Sequence, residues 1–276
     1  MSAPPRQVER LSEGHNHRGI ARLVTHPELR ERLKPFVFLD HIDVRTRNVF
    51  GGPFHPHSGV ATLTYPLTAR LECEDSEGRR DTVEPGGLHW MVSGRGVWHR
   101  ELFAPLEQQV AALQIWLLLP DSASVASVSV QHFVAEAIPV VGTTRVLAGR
   151  FEDTTSPLET ASPFNLFDLD LADSERWSFT APEGHDVAWV YPFVGALEVA
   201  ETAVSSGSIA VLDPTRGANE IRAQTDGARC LVATAASTDA QLCVGRFSMH
   251  TSPRSLQAGL SRLREIQAEL AQRGAI

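Results

Sequence analysis

The sequence has few cysteines, almost no lysine and no long apolar run. Its three cysteines, Cys73, Cys230 and Cys243, are widely spaced and form no C-x-x-C pair, so we expect neither a disulfide framework nor a cysteine zinc site. Reduced thiols in this number are typical of a cytosolic protein, and we predict a cytoplasmic location. Nowhere do about 18 apolar residues follow one another, which argues against a membrane-spanning helix.

Basic charge and targeting features are also scarce. The polar start MSAPPRQVERLSEG carries no apolar region after the initiator Met, so we expect no secretory signal. Lys34 is the sole lysine, and the formal net charge is −8. Because phosphate contacts need clustered Lys and Arg, an acidic chain without a basic stripe is a poor nucleic-acid binder. We expect no direct nucleic-acid or membrane partner, and a monomer.

The chain is long enough for two domains of ordinary size. Its 276 residues are 42% apolar and 21% charged, so each half can bury a core. Short β-branched or aromatic runs bounded by Gly and Pro turns predict strands at Val60–Leu67, Gly87–Val92, Val110–Leu119, Phe164–Leu171, Val187–Phe193, Ala196–Val199 and Ser208–Leu212. Many short strands at close spacing indicate a sandwich or barrel.

A faint internal repeat suggests that the β-unit is duplicated. The segment SSGSIAVLD echoes the earlier EPGGLHWMV, which we interpret as two β-barrels in tandem. We predict an N-terminal barrel over residues 1–133 and a degenerate C-terminal barrel with a terminal helix over residues 134–276. The Ser- and Ala-rich segment between Pro120 and Val130 is predicted to cross irregularly between the two.

The C-terminal segment has a different pattern, typical of an amphipathic helix. Ser252 is a good N-cap and Pro253 suits the first helical position. Apolar residues then recur at spacings of 4, 3, 3 and 4, at Leu256, Leu260, Leu263, Ile266 and Leu270. We expect this helix to end near Gly274 and to pack on a sheet.

Two short motifs carry the candidate metal ligands. His55 and His57 form an H-x-H pair, and side chains two apart on a strand share a face. His99 and Glu101 repeat that spacing. Three imidazoles and one carboxylate from two adjacent strands would suit Fe(II), Mn, Ni, Cu or Zn rather than Ca²⁺, and would leave an open position. The spacing alone also allows polar rim histidines without a metal.

Other histidines and Cys73 carry weaker signals. His15 and His17 form a second i, i+2 pair, but no carboxylate motif accompanies it, so we expect solvated rings. Strand parity does not decide whether His89 faces inward. Cys73 is expected to be an inert strand cysteine rather than a reactive thiol. The C-terminal repeat contains His185 without a ligand pair, and we expect no metal there.

The motifs together resemble those of the pirin family of the cupin superfamily. FHPHSG resembles the family's first metal motif, and EPGGLHWMVSGRGVWHRE resembles its second and highly specific one. KPFVFLDH, LQIWLLLP and GRFSMHT resemble further family segments along most of the chain. The resemblance implies an all-β fold of two tandem cupin (jelly-roll-type) barrels with a C-terminal α-helix. It also implies iron in the N-terminal barrel, bound by His55, His57, His99 and Glu101.

For function, the resemblance implies quercetin 2,3-dioxygenase-type activity on a small aromatic or enol substrate and O₂, with Glu101 as both ligand and proton acceptor. Two alternatives stay open: a metal-dependent regulatory protein that binds a protein partner, and a cupin that keeps zinc for stability. Four positions depart from the family pattern, namely Ala61 and Cys73 in place of a Glu and a His, and Thr68-Ala69 in place of E-G. These departures are expected to remove polar groups near the site.

Overall fold

The computed structural model describes residues 4–276 as mostly β-structure followed by one long helix. The helices are α1 (Pro27–Leu33), α2 (Asp121–Ser124) and α3 (Pro253–Gln272), with a 3₁₀ turn at Ala135–Ala137. The strands are β1 (Val8–Glu13), β2 (His15–His17), β3 (Ile20–Arg22), β4 (Phe36–Arg45), β5 (Phe50–Gly51), β6 (His55–His57), β7 (Val60–Pro66), β8 (Ala69–Asp75), β9 (Arg80–Val83), β10 (Leu88–Val92), β11 (Val97–Pro105), β12 (Gln109–Leu118), β13 (Ser129–Phe133), β14 (Val140–Val141), β15 (Thr144–Ala148), β16 (Arg150–Phe151), β17 (Thr154–Thr155), β18 (Phe164–Leu171), β19 (Arg176–Phe179), β20 (Val187–Val199), β21 (Thr202–Ser205), β22 (Ser208–Leu212), β23 (Asn219–Ala235), β24 (Cys243–Gly245) and β25 (Ser248–His250). Within residues 4–276, no helix has the length and apolar character needed to cross a membrane.

The described residues divide into two compact units. The first unit consists of residues 17–20, 36–136 and 239–276, and the second of residues 4–16, 21–35 and 137–238. Mostly antiparallel strands form both units. The prediction of an all-β chain ending in an α-helix is therefore confirmed.

Two main sheets build the first unit, which also contains the short β24-β25 pair. One runs in the order β13-β10-β7-β12-β4, and the other runs β5-β11-β8-β9 with β6 also paired to β11. Strand β7 is buried along its whole length. Val110, at one end of β12, belongs to a core cluster with Leu71 and Phe103. Trp116, near the other end of β12, belongs to a second cluster and stacks on Phe38 at 4.1 Å between ring centroids.

The second unit contains one larger sheet, in the order β1-β22-β20-β23-β18-β15-β14, with β19 and β21 attached to β23 and β20. Its core is apolar and includes Phe167, Leu169, Trp177, Val190 and Val232. Burial of such side chains is the main favourable contribution to folding. Four stacked or edge-on aromatic contacts join Phe151, Phe167, Trp177 and Phe179.

The two units differ from the predicted domains of residues 1–133 and 134–276. Residues 239–276, with helix α3, belong to the first unit, because the Trp98 indole N–H donates to the Leu263 carbonyl at 2.9 Å. Residues 4–16 belong to the second unit, because β1 pairs with β22. The segment after Pro120 is also more regular than predicted: it forms α2 and β13, and β13 pairs with β10.

Helix α3 has the boundaries that its sequence pattern predicts. The Ser252 hydroxyl accepts a hydrogen bond from the Ser255 N–H at 3.2 Å, which caps the first turn. Its buried face includes Gly259, Leu263, Ile266 and Leu270. Gly259 is the close-contact position, because Ser58 and the His250 ring lie directly against it.

Replacing Gly259 with alanine should destabilise the protein, although alanine normally favours a helix interior by about 1 kcal/mol. A Cβ there would lie 2.6 Å from Ser58 Oγ and 2.8 Å from His250 Nε2, disrupting the 3.0 Å hydrogen bond between them. We expect the free energy of unfolding to fall by about 1–2 kcal/mol in urea titrations.

The matched control is Gln257→Ala, at an exposed position of the same helix, which should stay within about 0.5 kcal/mol of the wild type. A stabilised Gly259→Ala protein would contradict the close packing of α3 against Ser58 and His250.

Candidate metal centre

Three imidazoles converge where β6 pairs with β11. The two strands are antiparallel, with His55 opposite His99 and His57 opposite Val97. Ring centroids lie 4.5 Å apart for His55 and His99, 4.9 Å for His57 and His99, and 5.0 Å for His55 and His57. One ligand nitrogen from each ring lies within 4.8 Å of the others, which places three donors around one point.

Backbone carbonyls orient two of these rings. His57 Nδ1 is 2.9 Å from the Phe247 carbonyl oxygen, and His55 Nδ1 is 3.1 Å from that of Pro53. Because a carbonyl only accepts, each Nδ1 must carry the proton and donate. The lone pair is then on Nε2 of each ring, which is the arrangement that histidine metal ligands commonly have.

The third ring, His99, has polar atoms with no partner among residues 4–276. Its side chain is buried, and within this described part of the chain neither Nδ1 nor Nε2 has a hydrogen-bond partner. A buried polar atom without a partner costs about 1–3 kcal/mol. A metal ion bound to one of these nitrogens would remove part of that cost, so the residues present fit a transition-metal ion.

The three imidazoles are neutral at physiological pH. Burial lowers the pKa of His57 to about 3, with a smaller contribution from the neighbouring His55. Burial also lowers the pKa of His99 well below its usual value, and lowers that of His55. Neutral imidazole is the form that binds a metal, so no proton has to be displaced from these rings near neutral pH.

The fourth predicted ligand, Glu101, lies in a different group. It is two residues beyond His99 on β11, and its ligand atom groups with those of Cys73 and His89 rather than with the three imidazoles. Thr64 Oγ1 donates to Glu101 Oε1 at 2.8 Å, and Gln114 Nε2 donates to Oε2 at 2.6 Å. The structure therefore brings together three of the four predicted ligands and holds the fourth next to them.

Burial shifts the pKa values of Glu101 and of its neighbour Cys73. Burial raises the pKa of Glu101 to about 7, against the lowering effect of the hydrogen bonds from Thr64 and Gln114. Burial also raises the pKa of the Cys73 thiol, and the negative charge of Glu101 adds to that increase. The charge of the Glu101 carboxyl group therefore depends on pH near neutrality, and a nearby cation would shift the group toward its ionised form.

Several residues around Glu101 were not predicted from the sequence. Thr64 and Gln114 carry no motif signal, and His89 lies on β10, a strand whose residues Leu88–Met91 are all buried, so parity gives no direction. The departures Ala61 and Cys73 are both buried, and Thr68 instead hydrogen-bonds Gln109 and Ala111. Glu101 therefore keeps polar neighbours despite these departures.

Three other histidines singled out in the sequence, His15, His17 and His185, lie elsewhere. His15 and His17 are exposed. In the second unit, His185 Nδ1 is 3.0 Å from Thr234 Oγ1, and its carbonyl accepts a hydrogen bond from the Arg6 guanidinium. These contacts account for His185 as a structural residue of its own unit.

Comparison with known proteins identifies the family. The family model described as Pirin matches residues 15–117. A "Putative quercetin 2,3-dioxygenase" of Vibrio cholerae serotype O1 is 32% identical over 195 residues, which are 66% of this chain and 69% of that protein. Another, from Pseudomonas aeruginosa, is 33% identical over 181 residues, 61% of this chain and 63% of that protein. The alignment thus spans less than two thirds of the Pseudomonas protein.

Solved structures share the fold. A quercetin 2,3-dioxygenase from Acinetobacter baumannii has a TM-score of 0.86 at 23% identity, covering 93% of this chain and 96% of its own. The bacterial pirin YhhW from Escherichia coli, in complex with nickel(II), has a TM-score of 0.66 at 16% identity, covering 83% and 99%. These likenesses confirm the predicted cupin-type fold, and with the sequence matches they lead to one conclusion: the chain belongs to the pirin family.

Proposed function

We propose that this protein is a metal-dependent dioxygenase of flavonols or similar enols, with Fe(II) bound by His55, His57, His99 and Glu101. The observation that carries the proposal is the buried His99 ring, whose two nitrogens have no hydrogen-bond partner in the part of the chain that the structure describes. It stands beside two imidazoles whose Nδ1 atoms face carbonyl oxygens. Three neutral imidazoles and a carboxylate are ligands typical of such oxygenase metals.

The bound metal would supply the reaction of a chelated enol with dioxygen. Iron is our choice because relatives carry the dioxygenase name, while the donor set also suits Ni, Mn, Cu or Zn. Nickel accompanies one structural relative. The protein's own contribution is to hold the ligands in place and to move the substrate proton.

Glu101 is the residue that we assign to the proton. In the metal-free protein burial raises the pKa of Glu101 to about 7, and a bound cation would lower it, so Glu101 is ionised and able to accept a proton once the metal is present. Thr64 and Gln114 each donate to one carboxylate oxygen, which limits rotation of the group. In this proposal Glu101 accepts the proton from the substrate hydroxyl and is also a metal ligand.

Aromatic side chains at the site favour an aromatic substrate. His57 and His99 are buried, whereas His55 is partly exposed and marks the solvent side. The Phe247 ring, 40% exposed, lies 6.0 Å from the His55 ring, and the Trp116 ring meets His57 edge-on at 4.6 Å. An exposed aromatic ring beside the ligands suits stacking of a flavonol ring.

Location and assembly stay predictions. The three cysteines are free and buried, which supports the expected cytoplasmic location without testing it. A monomer is still our expectation. A protein partner would become the favoured alternative if the metal-loaded protein proved unable to turn over any enol.

Iron-loaded protein should consume quercetin with uptake of O₂, measured as loss of flavonol absorbance together with oxygen consumption. His57→Ala should abolish turnover by removing a ligand, and Glu101→Gln should lower kcat by about 100-fold or more through loss of the proton acceptor. The control is His17→Ala, an exposed histidine in the other i, i+2 pair, which should keep wild-type kcat.

Turnover that is unchanged by chelation of iron, or equal in His57→Ala and wild type, would contradict the dioxygenase assignment. Full iron occupancy with no turnover of quercetin or other enols would favour the regulatory alternative.

Metal binding should release more protons at about pH 6 than at about pH 8. Glu101 has a pKa raised to about 7, so it is mostly protonated below that pH and must lose its proton to bind, whereas the imidazoles are already neutral. For one equivalent of Ni(II), calorimetry in buffers of different ionisation enthalpy should show that nearly one more proton is released at about pH 6 than at about pH 8.

The Glu101→Gln variant provides the control, because it should release the same number of protons at both pH values. Equal release by the wild type at the two pH values would show that Glu101 is not a ligand.

A further inference from the structure

A second group of ligand-type side chains lies next to the three imidazoles. Cys73 on β8, His89 on β10 and Glu101 on β11 are all buried, and one ligand atom from each lies within 4.8 Å of the others. Cys73 is directly opposite Glu101 in the β8–β11 pairing. His89 comes from the other sheet of the first unit, so the group joins both sheets.

Hydrogen bonds between these three side chains do not explain their arrangement. His89 Nδ1 is buried and has no hydrogen-bond partner in the described residues 4–276. It lies 3.7 Å from Glu101 Oε1, which is too long for a hydrogen bond. Two ligand atoms on one tetrahedral zinc ion, each bonded at about 2.0 Å, lie about 3.3 Å apart. The observed separation is closer to ligand spacing than to hydrogen-bond spacing.

The space beside these side chains suits a single small ion. Cys73, His89 and His99 line a small, partly open cavity, together with Asp75, Asp81 and the Arg79 guanidinium. Its volume available to the centre of a water-sized sphere is about 10 Å³, close to the minimum for one water molecule. Asp75 forms an ion pair with Arg79 at 2.7 Å, so Asp81 rather than Asp75 adds negative charge beside Cys73 and His89.

We propose that Cys73, His89 and Glu101 form a second metal site, for a thiophilic divalent ion of the zinc type. A thiolate, an imidazole and a carboxylate provide three protein ligands, and a water molecule would complete a tetrahedron. On binding, the Cys73 thiol gives its proton to solvent and the sulfur donates an electron pair to the ion. No oxidation or reduction is involved.

Glu101 belongs to both groups and gives the proposal its consequence. A carboxylate has two oxygens and can bind one ion with each, as in two-metal sites. Cys73 and His89 therefore distinguish the second site from the first, and His57 distinguishes the first from the second. The proposal goes beyond the proposed dioxygenase function and does not require it.

Cobalt(II) is the probe, because thiolate ligation gives a sulfur-to-cobalt charge-transfer band in the near ultraviolet that imidazole and carboxylate do not. Titration of reduced, metal-free, full-length protein in the absence of air should saturate at two equivalents. The charge-transfer band should grow with one of the two cobalt equivalents. His57→Ala should lose one equivalent and keep the band.

Two variants should lose the band together with one equivalent, while keeping the circular dichroism of the folded protein. They are Cys73→Ser, which removes only the sulfur, and His89→Gln, which leaves the sulfur in place. The matched control is Cys243→Ser, another buried cysteine of the first unit, which should keep both equivalents and the band.

The proposal is overturned if the wild type binds cobalt without a charge-transfer band, or if the band survives in both Cys73→Ser and His89→Gln. A band that persists in wild type and His57→Ala, with one equivalent in each, would leave the second site standing. That same result would contradict the three-imidazole site of the proposed function.

Discussion

The close approach of three buried or half-buried imidazole rings is the arrangement on which the rest of the first unit depends. Burial lowers the pKa of all three rings, whose centroids are 4.5–5.0 Å apart, so they stay neutral. The N–H group of each neutral ring then needs an acceptor. The backbone resolves part of the problem by accepting hydrogen bonds from His55 and His57 at the Pro53 and Phe247 carbonyls. Among the residues that the structure describes, none provides such a partner for His99.

This requirement explains why the C-terminal segment belongs to the first unit. The Phe247 carbonyl stands at the turn between β24 and β25, and Phe247 itself has φ +61°, a conformation that is unfavourable for a non-glycine residue. Ser58, next to His57, bonds to Ser248 and to His250, and α3 packs over this contact through Gly259. The ligand strand β6 is therefore held by residues about 190 positions further along the chain.

Local patterns in the sequence predicted the features that depend on local geometry. The i, i+2 spacing predicted that His55 and His57 share a strand face, and both rings converge with His99. Glu101, two residues beyond His99, groups with Cys73 and His89 instead. The cap and apolar spacing predicted α3. Features set by pairing between distant segments were beyond such patterns. These include the assignment of α3 to the first unit, the hydrogen bonds of Gln114 and Thr64, and the inward direction of His89 on a strand buried on both faces.

The departures from the family pattern take on a different meaning in the structure. Cys73 does not leave Glu101 in an apolar environment; with His89 it gives the carboxylate a second set of ligand-type neighbours. Glu101 thus lies between two groups, oriented by Thr64 and Gln114 and with a pKa near 7. A cation in either group would stabilise the negative charge of this carboxylate.

The most direct test of the metal centre is anomalous diffraction at the iron absorption edge, from crystals grown with iron in the absence of air. The account predicts one peak about 2.0–2.2 Å from a ring nitrogen of each of His55, His57 and His99. A map without a peak between the three rings, with ordered water bonded to His99 instead, would contradict it.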